Sequence, residues 1–545
     1  MRPMPHTLKG WLRSWSWGQA SAAEVIRSAH RHVQDVGRQA DARITRLAKT
    51  FYSIQNAERA VENVVPTEEL PQTISIADSQ IDCVLPPFEC FRWLKETCPR
   101  RFQAHLGAKP EGVADWWVAF KSSMAGRRMW RLHPWLRGKE PQDLRWHLPL
   151  MIFDDAGPVS NISSTFVRCW YSVLGAGSER ETRFLMSTGL KDAAGPDRSW
   201  GPIMQSFEDL AKPVAPGDWG GLLLFIGADL EYMCNIIGIP HFNSPYACCC
   251  LCEANMDMDD KPFNDFSPGA AWRGTEVHNV RFMERLRQPL HPLCSHPWFN
   301  MHTFRFDMLH LLDHHGLASH VVGNVLWTHL SGDRDCEVFP GANIDHRVDF
   351  LNTDLAAWYS QTGTRNRLPV LKESNVKEGP FPELKGHGVK AANTRAVVPY
   401  ILDVQRRACR QQPSRRNRHM LKVVESLDGF YQICYNGSYF LPREEIASMQ
   451  AHVARFAQHY QFLATTAVGN EQTMWKMTVK IHYVCAHLPQ QAELINPRFT
   501  QGYSSESMVG EIAGVYGASQ SGPFHTVVQT TALLKYRTGL LLLWE

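Results

Sequence analysis

Long apolar runs are missing from this chain of 545 residues. The longest uncharged apolar stretch near an end covers residues 539–544, far below the ~20 residues that a membrane-spanning helix needs. An apolar core for a secretory signal peptide is missing too, because Lys9, Arg13 and several Trp and Ser residues interrupt the N-terminal segment. The sequence therefore predicts an intracellular protein that is neither secreted nor placed in a membrane.

An excess of charge of one sign is also missing. The formal net charge is only +3 at pH 7, from 57 Lys and Arg against 54 Asp and Glu. This balance excludes a uniformly basic coat for nucleic acid, so any nucleic-acid surface has to be a local patch. Internal repeats and long low-complexity tracts are not found. With 44% hydrophobic residues, the chain is long enough for about two to four domains with cores of their own.

The 14 cysteines of an intracellular chain are expected to be thiols or metal ligands rather than disulfides. Cys249 and Cys252 form a C-x-x-C pair, which can place two thiolates on one zinc ion. A second pair of ligands is predicted further along the chain at Cys294 and His296, with His291 as a further candidate. A structural zinc site is one interpretation, and a set of thiols without a metal is the other.

The most regular part of the chain predicts four strands and one helix in the order β-β-β-α-β. The first three strands are close enough in sequence to form an antiparallel meander, and the fourth follows a helical crossover that allows parallel pairing with the first. The apolar and β-branched runs that indicate strands cover residues 148–153, 166–174, 183–187 and 222–226, and helical spacing covers 200–210.

Acidic residues stand at two of these predicted strand ends. Asp155, or its neighbour Asp154, closes the first strand, and Asp229 follows the fourth. Carboxylates that converge from different elements can hold two Mg²⁺ ions about 3.5–4 Å apart, as two-metal phosphoryl transfer requires. Each Asp alone is more readily explained as structural, because strand ends favour Asp for backbone hydrogen bonds. The ordered pair makes a metal site as reasonable an interpretation as a structural role, and such a site would take its third acid from a later helix.

Four stretches of the chain carry a family resemblance: 149–157, 225–252, 306–326 and, in two pieces, 481–488 with 503–510. They resemble DDE transposases with a ribonuclease-H-like core, particularly the CACTA (En/Spm-like) group and related proteins of multicopy transposable elements. The resemblance implies a catalytic triad of Asp155, Asp229 and Glu506 that binds two Mg²⁺ or Mn²⁺ ions. It also implies that Asp307 and His310, which are similar to the D/C-x-x-H helix of these transposases, support the active site.

The activity implied by this resemblance is cleavage of a DNA strand at an element end, followed by transfer of the freed 3′-hydroxyl to target DNA. DNA is then the expected partner, the location is nuclear or nucleoid-associated, and a homo-oligomer is allowed. The chain departs from the family where Asp154 and Asp155 are adjacent and where Glu511 lies close to Glu506. Two alternatives therefore stay open: a catalytically inactive nucleic-acid-binding protein derived from a transposable element, and a zinc-stabilised interaction module.

The densest basic run of the chain lies between residues 406 and 422. Lys and Arg side chains neutralise phosphates, so this run predicts contact with nucleic acid. A solvated helix face or a nuclear-import signal is the alternative. The candidate phosphate-binding residues are Arg406, Arg407, Arg410, Arg415, Arg416 and Arg418.

These patterns together predict an α+β protein whose ribonuclease-H-like core is interrupted by a Cys/His-bearing and helical insertion. The expected organisation is a helical N-terminal region at 1–145, a first part of the core at 146–237, a Cys/His-rich insertion at 238–300, a helical insertion at 301–470, and a C-terminal part of the core with the third acid at 471–545.

Overall fold

The computed structural model describes residues 3–52, 56–76, 83–160, 163–191, 199–212, 215–241, 249–255, 260–332, 337–520 and 525–544. These residues form an α+β protein with a mixed five-stranded sheet and a separate two-stranded ribbon, which agrees with the predicted class. In this part of the chain, no helix is both long and apolar enough to span a membrane.

The chain divides into two compact units. The sheet unit consists of Met1–Val118, Pro134–Gly227 and Tyr503–Glu545, and the helical unit consists of Ala119–His133 and Ala228–Gly502. Both units are discontinuous in sequence. The C-terminal segment that carries Glu506 thus belongs to the same unit as the predicted β-β-β-α-β region.

The described elements are numbered here in chain order. The strands are β1 Ile74–Ser75, β2 Cys83–Val84, β3 His147–Ser160, β4 Ser163–Ser172, β5 Phe184–Leu190, β6 Gly220–Ala228 and β7 Phe304–Phe306. The helices up to the end of β6 are α1 His6–Ser16, α2 Ala22–Val36, α3 Ala42–Lys49, α4 Ala57–Glu62, α5 Pro87–Thr97, α6 Pro99–Leu106, α7 Pro110–Ser122, α8 Gly126–Leu132, α9 Glu179–Thr182 and α10 Trp200–Ala211.

The later helices are α11 Leu230–Tyr232, α12 Asn279–Arg285, α13 Pro292–Ser295, α14 Leu317–Leu330, α15 Ile344–Thr362, α16 Glu373–Val376, α17 Ala391–Gln411, α18 Arg415–Asn436, α19 Arg443–Gly469, α20 Val479–His482, α21 Leu488–Ala492, α22 Tyr503–Gly517 and α23 His525–Trp544. One-turn π-helices cover Met233–Ile237, Leu309–Asp313 and Tyr483–His487. Short 3₁₀ turns cover Gly37–Gln39, Thr50–Tyr52, Thr67–Glu69, Pro141–Leu144 and Pro497–Thr500.

The predicted order β-β-β-α-β is confirmed in β3, β4, β5, α10 and β6. The strands lie in the order β5-β4-β3-β6, so the fourth strand is beside the first as expected. Both β3–β4 and β4–β5 pair antiparallel, which is the predicted meander. Every residue of β6 is buried, as the continuous apolar run of this strand indicates.

The first strand is longer than its apolar run predicts. β3 continues past Asp154 and Asp155 to Ser160, because β4 begins at Ser163 and pairs with it up to the hairpin. Pro158 lies at a register shift, where a ladder tolerates a residue without an N–H group. The expectation that the two aspartates stand at a strand end is therefore wrong, since both lie inside the strand.

Helix α22 packs against β3 at Gly157, which has no side chain to hold the helix away. A Cβ atom at Gly157 would lie 3.0 Å from Val509 Cγ1 and 3.1 Å from Ala513 Cβ, both on α22. These distances are shorter than ordinary van der Waals contact. The glycine therefore allows the close approach that brings α22, and Glu506 with it, next to the middle of β3.

The substitution Gly157→Val should destabilise the protein by about 1–3 kcal/mol, because the added methyl groups overpack a filled interface. Urea unfolding should show this loss although Val favours strands over Gly. Gly510→Ala is the matched control on α22, because no atom lies within 4 Å of the added Cβ. A helical Gly→Ala change there should be neutral or stabilising. Equal stability of Gly157→Val and the native protein would contradict the close approach.

The N-terminal region is helical, as predicted, and has an apolar core of its own. Helices α1 to α4 bury Trp15, Ile26, Ile44 and other apolar side chains in one cluster, which also includes Leu541 and Leu542 of α23. Packing against the last helix makes this region a part of the sheet unit.

Three long helices, α17, α18 and α19, follow one another in the helical unit. Apolar residues at helical spacing after Pro442 predict an amphipathic helix, and α19 is this helix. The predicted apolar face is buried: Ile446, Met449, Val453, Phe456, Tyr460 and Leu463. Within the predicted helical insertion, frequent Gly, Pro and Asn between residues 331 and 398 predict loops and short helices, but the 19-residue helix α15 lies there. Its four buried residues, Val348, Leu351, Leu355 and Tyr359, do follow helical spacing, and the frequent Gly, Pro and Asn around it obscured that pattern.

Candidate metal centres

The two adjacent aspartates of β3 have different surroundings. Asp154 faces Arg168 of β4, and its Oδ2 accepts a hydrogen bond from Arg168 Nε at 2.7 Å. The side chains are only 1% and 5% exposed, respectively. Arg168 Nη1 also donates to Ser199 Oγ at 2.7 Å. Asp154 is thus one half of a buried ion pair, which gives it a structural role.

Asp155 points to the opposite face of β3, as the alternation of a strand requires. It is 7% exposed, and one of its carboxylate oxygens lies within 4.8 Å of a carboxylate oxygen of Glu506 on α22. The sheet unit therefore brings together two acids that are far apart in sequence. Of the two adjacent aspartates, Asp155 is therefore the one that lies close to Glu506.

Arg183 links the start of α22 to Tyr171 of β4. Arg183 Nε donates a hydrogen bond to Ser505 Oγ at 3.3 Å, and its guanidinium lies 3.7 Å from the ring centre of Tyr171. Ser505 directly precedes Glu506 in the helix. Glu511, the alternative to Glu506, instead accepts from Arg180 Nε at 2.9 Å. Between the two glutamates, the geometry favours Glu506 as the partner of Asp155.

Asp229 follows β6 directly and belongs to the helical unit. Its side chain accepts a hydrogen bond from Tyr232 N at 2.5 Å and thereby caps the short helix α11. This local role is the structural one that an Asp after a strand often has. One carboxylate oxygen makes this bond, and the side chain is half-buried.

Asp307 and His310 form a close pair in the helical unit. Asp307 Oδ2 lies 2.6 Å from His310 Nδ1, and its Oδ1 accepts from Leu309 N at 3.0 Å and Gly502 N at 2.7 Å. The expected proximity of Asp307 and His310 on one turn is confirmed. Lys480 Nζ donates to the carbonyl oxygen of His310 at 2.9 Å. Burial lowers the pKa of Lys480, and nearby carboxylates including those of Glu383 and Asp229 oppose this shift.

The strongest metal-ligand geometry in the described residues is a buried Cys/His centre in the helical unit. Its members are Cys249, Cys252, His482 and His487, whose ligand atoms all lie within 4.8 Å of one another. Cys249 Sγ lies 3.1 Å from His487 Nε2, and Cys252 Sγ lies 3.2 Å from His482 Nε2. Tetrahedral zinc sets ligand–ligand distances of about 3.4–3.8 Å. The centre therefore fits a metal ion such as zinc.

Protonation affects the two kinds of ligand differently. Burial lowers the pKa of His482 well below its usual value, so its ring stays neutral and can bind a metal ion directly. Burial raises the pKa of the Cys249 thiol, and that of Cys252 is raised first by its hydrogen bond with Cys249 and then by burial. The two thiols therefore lose their protons only as the metal binds.

Further contacts hold the ligands in place. Leu251 N donates to Cys249 Sγ and Ala254 N donates to Cys252 Sγ, each at 3.4 Å. Backbone N–H groups directed at both sulfurs favour the thiolate form. Arg285 Nη1 donates to the carbonyl oxygens of Cys249 at 2.8 Å and Cys252 at 2.5 Å, which clamps the C-x-x-C loop.

His487 is oriented from its other ring nitrogen. Its Nδ1 lies 2.8 Å from Gln490 Oε1, and Gln490 Nε2 donates to Glu276 Oε1 at 2.9 Å. An acceptor at Nδ1 fixes the proton there and leaves Nε2 as the metal-facing lone pair. This arrangement is the usual support for a histidine ligand.

The predicted partners of the C-x-x-C pair, Cys294 and His296, are replaced in the structure by His482 and His487. Cys294 Sγ donates to the carbonyl oxygen of Ile237 at 3.7 Å, and the His296 ring packs edge-on against Trp298. Both are thus used in local packing. The ligand set is therefore Cys₂His₂, rather than the Cys₃His set that Cys294 and His296 would complete.

The only sequence feature that could have indicated His482 and His487 as metal ligands is the spacing between them. His482 and His487 are five residues apart, which places them on different faces of an α-helix. The segment Tyr483–His487 is a π-turn with i→i+5 hydrogen bonds, so that residues five apart stand one above the other. An H-x-x-x-x-H pair becomes a metal-ligand signature only with that local geometry.

The basic run divides into structural and exposed arginines. Arg407 Nη2 pairs with Asp354 Oδ2 at 2.5 Å, and Arg416 Nη2 donates to Thr328 Oγ1 at 3.1 Å. Arg407 and Arg416, which the sequence predicts to contact phosphate, therefore make structural contacts inside the helical unit. The other four candidates, Arg406, Arg410, Arg415 and Arg418, are exposed.

Comparison with known proteins adds no family to this geometry. No protein-family model matches the chain, and no curated protein matches it. The features that bear on function are therefore the placement of the acids, the Cys/His centre and the exposed basic side chains.

Proposed function

We propose that the protein is a DDE-type enzyme that cuts and joins DNA strands by two-metal phosphoryl transfer, as a transposase or a descendant of one. The observation that carries this proposal is the convergence of Asp155 and Glu506. One comes from the middle of a strand and the other from a helix near the end of the chain, yet their carboxylate oxygens lie within 4.8 Å of one another. Asp229 is the third acid expected from the sequence.

The fold supports the same proposal. A β-β-β-α-β order with the first and fourth strands side by side is what a ribonuclease-H-like core requires. The spacing of the Asp155 and Glu506 oxygens fits a shared cation, because Mg²⁺ takes oxygen ligands at about 2.0–2.1 Å. Carboxylates also suit Mg²⁺ or Mn²⁺ better than the soft ions that thiols select.

In the proposed reaction, a water oxygen bonds to the phosphorus while the P–O3′ bond breaks, which leaves a 3′-hydroxyl and a 5′-phosphate. The freed 3′-oxygen then bonds to a target phosphorus and displaces a second 3′-oxygen. Bound Mg²⁺ ions would supply activation of the nucleophile and stabilisation of the leaving oxygen. The chain's own part is to hold the carboxylates in place through β3, α22 and the Arg183–Ser505 contact.

The Cys/His centre has a separate, structural role in this proposal. Four protein ligands complete a tetrahedron and leave no open position for a substrate, which is the pattern of structural zinc. The ion would join the C-x-x-C loop to the helix that carries His482 and His487. It would thereby stabilise the helical unit without taking part in catalysis.

Strand cleavage tests the proposed active site. Asp155→Asn and Glu506→Gln should each lower Mg²⁺- or Mn²⁺-dependent nicking of plasmid DNA by about 100-fold or more, because each removes charge that stabilises the transition state. Asp229→Ala should have a similar effect. Glu511→Gln is the matched control, because this acid is on the same helix but pairs with Arg180.

Persistence of cleavage in Asp155→Asn and Glu506→Gln would refute the assignment of these residues. The native protein could instead show no cleavage, while either substitution weakens its binding of Mn²⁺. That result would make it a catalytically inactive descendant of a transposase. Titration of Mn²⁺ by electron paramagnetic resonance measures that binding directly.

A further inference from the structure

The exposed surface of α18 and α19 carries a group of cations that the proposed cleavage reaction does not use. Arg415, Arg418 and Lys422 are exposed at positions i, i+3 and i+7 of α18, so they share one face of that helix. Arg455 is exposed on α19, four residues before His459. We call these four cations, together with the half-buried His419 and His459, the basic face.

The two histidines show that the helices bring these charges together. His419 Nδ1 and His459 Nδ1 lie 3.0 Å apart, which joins α18 to α19. Burial lowers the pKa of His419, and His459, Arg415 and Arg418 lower it further. Burial also lowers the pKa of His459, and Lys422 and Arg455 add to this shift. Cations of both helices therefore lie close enough to the His419–His459 pair to lower the pKa values of these histidines.

The position of Arg415 is fixed by packing. Its guanidinium lies 4.5 Å from the ring centre of Phe462, and the His419 ring stacks on Phe462 at 3.7 Å. Arg415 also stands in the first turn of α18, where the helix dipole adds positive potential. An ordered guanidinium loses less side-chain entropy when it binds an anion.

Few acids oppose these charges. Among the described residues, neither Arg418 nor Arg455 makes an ion pair, in contrast to Arg407 with its partner Asp354. Lys422 is partly neutralised by Glu425, whose Oε2 lies 2.8 Å from its Nζ. The uncompensated positive charge of the basic face therefore belongs mainly to the arginines.

We propose that the basic face binds the phosphate backbone of duplex DNA independently of sequence. Seven residues of α18 rise about 10 Å, which is about three base-pair steps, so Arg415 and Lys422 can contact phosphates along one strand. Guanidinium groups suit phosphate oxygens because they donate two parallel hydrogen bonds. Such contacts position a protein on DNA rather than read its sequence.

DNA is the only element that binding at the basic face has in common with the proposed cleavage reaction. Binding at the basic face requires neither the carboxylates nor Mg²⁺, and it holds equally for a protein without catalytic activity. The test is therefore made without added divalent metal, on protein that keeps its native metal content because no chelator is used. Failure of the cleavage test and failure of this test are then separate results.

The experiment measures fluorescence anisotropy of a short labelled DNA duplex of mixed sequence across a range of salt concentrations. Arg415→Gln/Arg418→Gln should raise the dissociation constant about 10-fold or more at low salt. It should also reduce the slope of log K against log salt by about 1.8, since each lost phosphate contact contributes about 0.9. Arg365→Gln/Arg443→Gln is the matched control, because it removes two exposed arginines of the same unit outside the basic face.

Circular dichroism melting of both double variants shows that the fold is retained, as expected for exposed side chains. An unchanged dissociation constant and salt slope in Arg415→Gln/Arg418→Gln would overturn the proposal. An equal loss in the control pair would overturn it as well, because the effect would then be one of net charge. If polyglutamate displaced the labelled duplex as strongly as unlabelled DNA does, the basic face would bind polyanions in general. That result would also overturn the assignment to DNA.

Discussion

Substitution of Cys249 or Cys252 by Ser should release the metal ion of the Cys/His centre and unfold much of the helical unit. The expected loss of stability is on the order of 5–10 kcal/mol, below the about 10–16 kcal/mol of zinc-finger peptides, because the helices around this centre also have an apolar core. Removal of one ligand leaves a buried thiol and two buried imidazoles that no metal compensates. Metal analysis of purified protein should find one zinc per chain in the native form and little in the variants.

Cys294 and His296, which lie outside the Cys/His centre, provide the control for this result. Cys294→Ala and His296→Ala remove the ligands that the sequence suggested, and both variants should keep their zinc. Calorimetry with and without 1,10-phenanthroline should then show a large shift of the melting temperature in the native protein and in both controls, but a small one in Cys249→Ser. Full zinc content in Cys249→Ser would contradict the Cys₂His₂ assignment.

The buried ion pair of the sheet unit should give the second large effect. Asp154→Asn leaves the Arg168 guanidinium buried without its counter-charge, which costs about 3–5 kcal/mol. The cost is high because the arginine cannot lose its proton and cannot reach water from a side chain that is 5% exposed. Urea unfolding, with the transition midpoint and slope measured together, gives the free-energy difference.

A partly exposed pair of the same unit provides the comparison. Arg180 and Glu511 are each 32% exposed, so Arg180→Gln should cost no more than about 1 kcal/mol. The double variant Asp154→Leu/Arg168→Met should recover part of the lost stability, since apolar replacement of a buried pair removes both desolvation costs. Equal stability losses for Asp154→Asn and Arg180→Gln would show that the Asp154–Arg168 pair is not desolvated.

The sequence predicts those parts of the fold that depend on local pattern. The five elements β3, β4, β5, α10 and β6 each have a clear period or apolar run, and α19 has a long amphipathic face. The alternation of a strand also predicts that Asp154 and Asp155 point to opposite faces. The choice between them depends on Arg168, which stands opposite Asp154 only because of the β3–β4 register. That register is not visible in either strand alone.

The Cys/His centre shows the limit of spacing as a guide. The C-x-x-C half is local and was predicted correctly, whereas its histidines come from a segment more than two hundred residues away. A nearby Cys and His were the natural choice by sequence distance, but loop closure disfavours distant contacts only slowly with length. The same limit applies to the basic run, where the distant Asp354 decides that Arg407 is a structural residue.

Three π-turns in the described part of the helical unit contain or adjoin its candidate functional residues. Met233–Ile237 lies directly after the helix that Asp229 caps, Leu309–Asp313 contains His310, and Tyr483–His487 contains His487. A π-turn holds one residue more than the α-helical turn it replaces, and one residue corresponds to about 100° of rotation. Loss of one residue between His482 and His487 would restore an ordinary helix, in which the two histidines would be four residues apart and would still share a face. The pairing of these histidines therefore depends on the match between their spacing and the type of helix, not on the spacing alone.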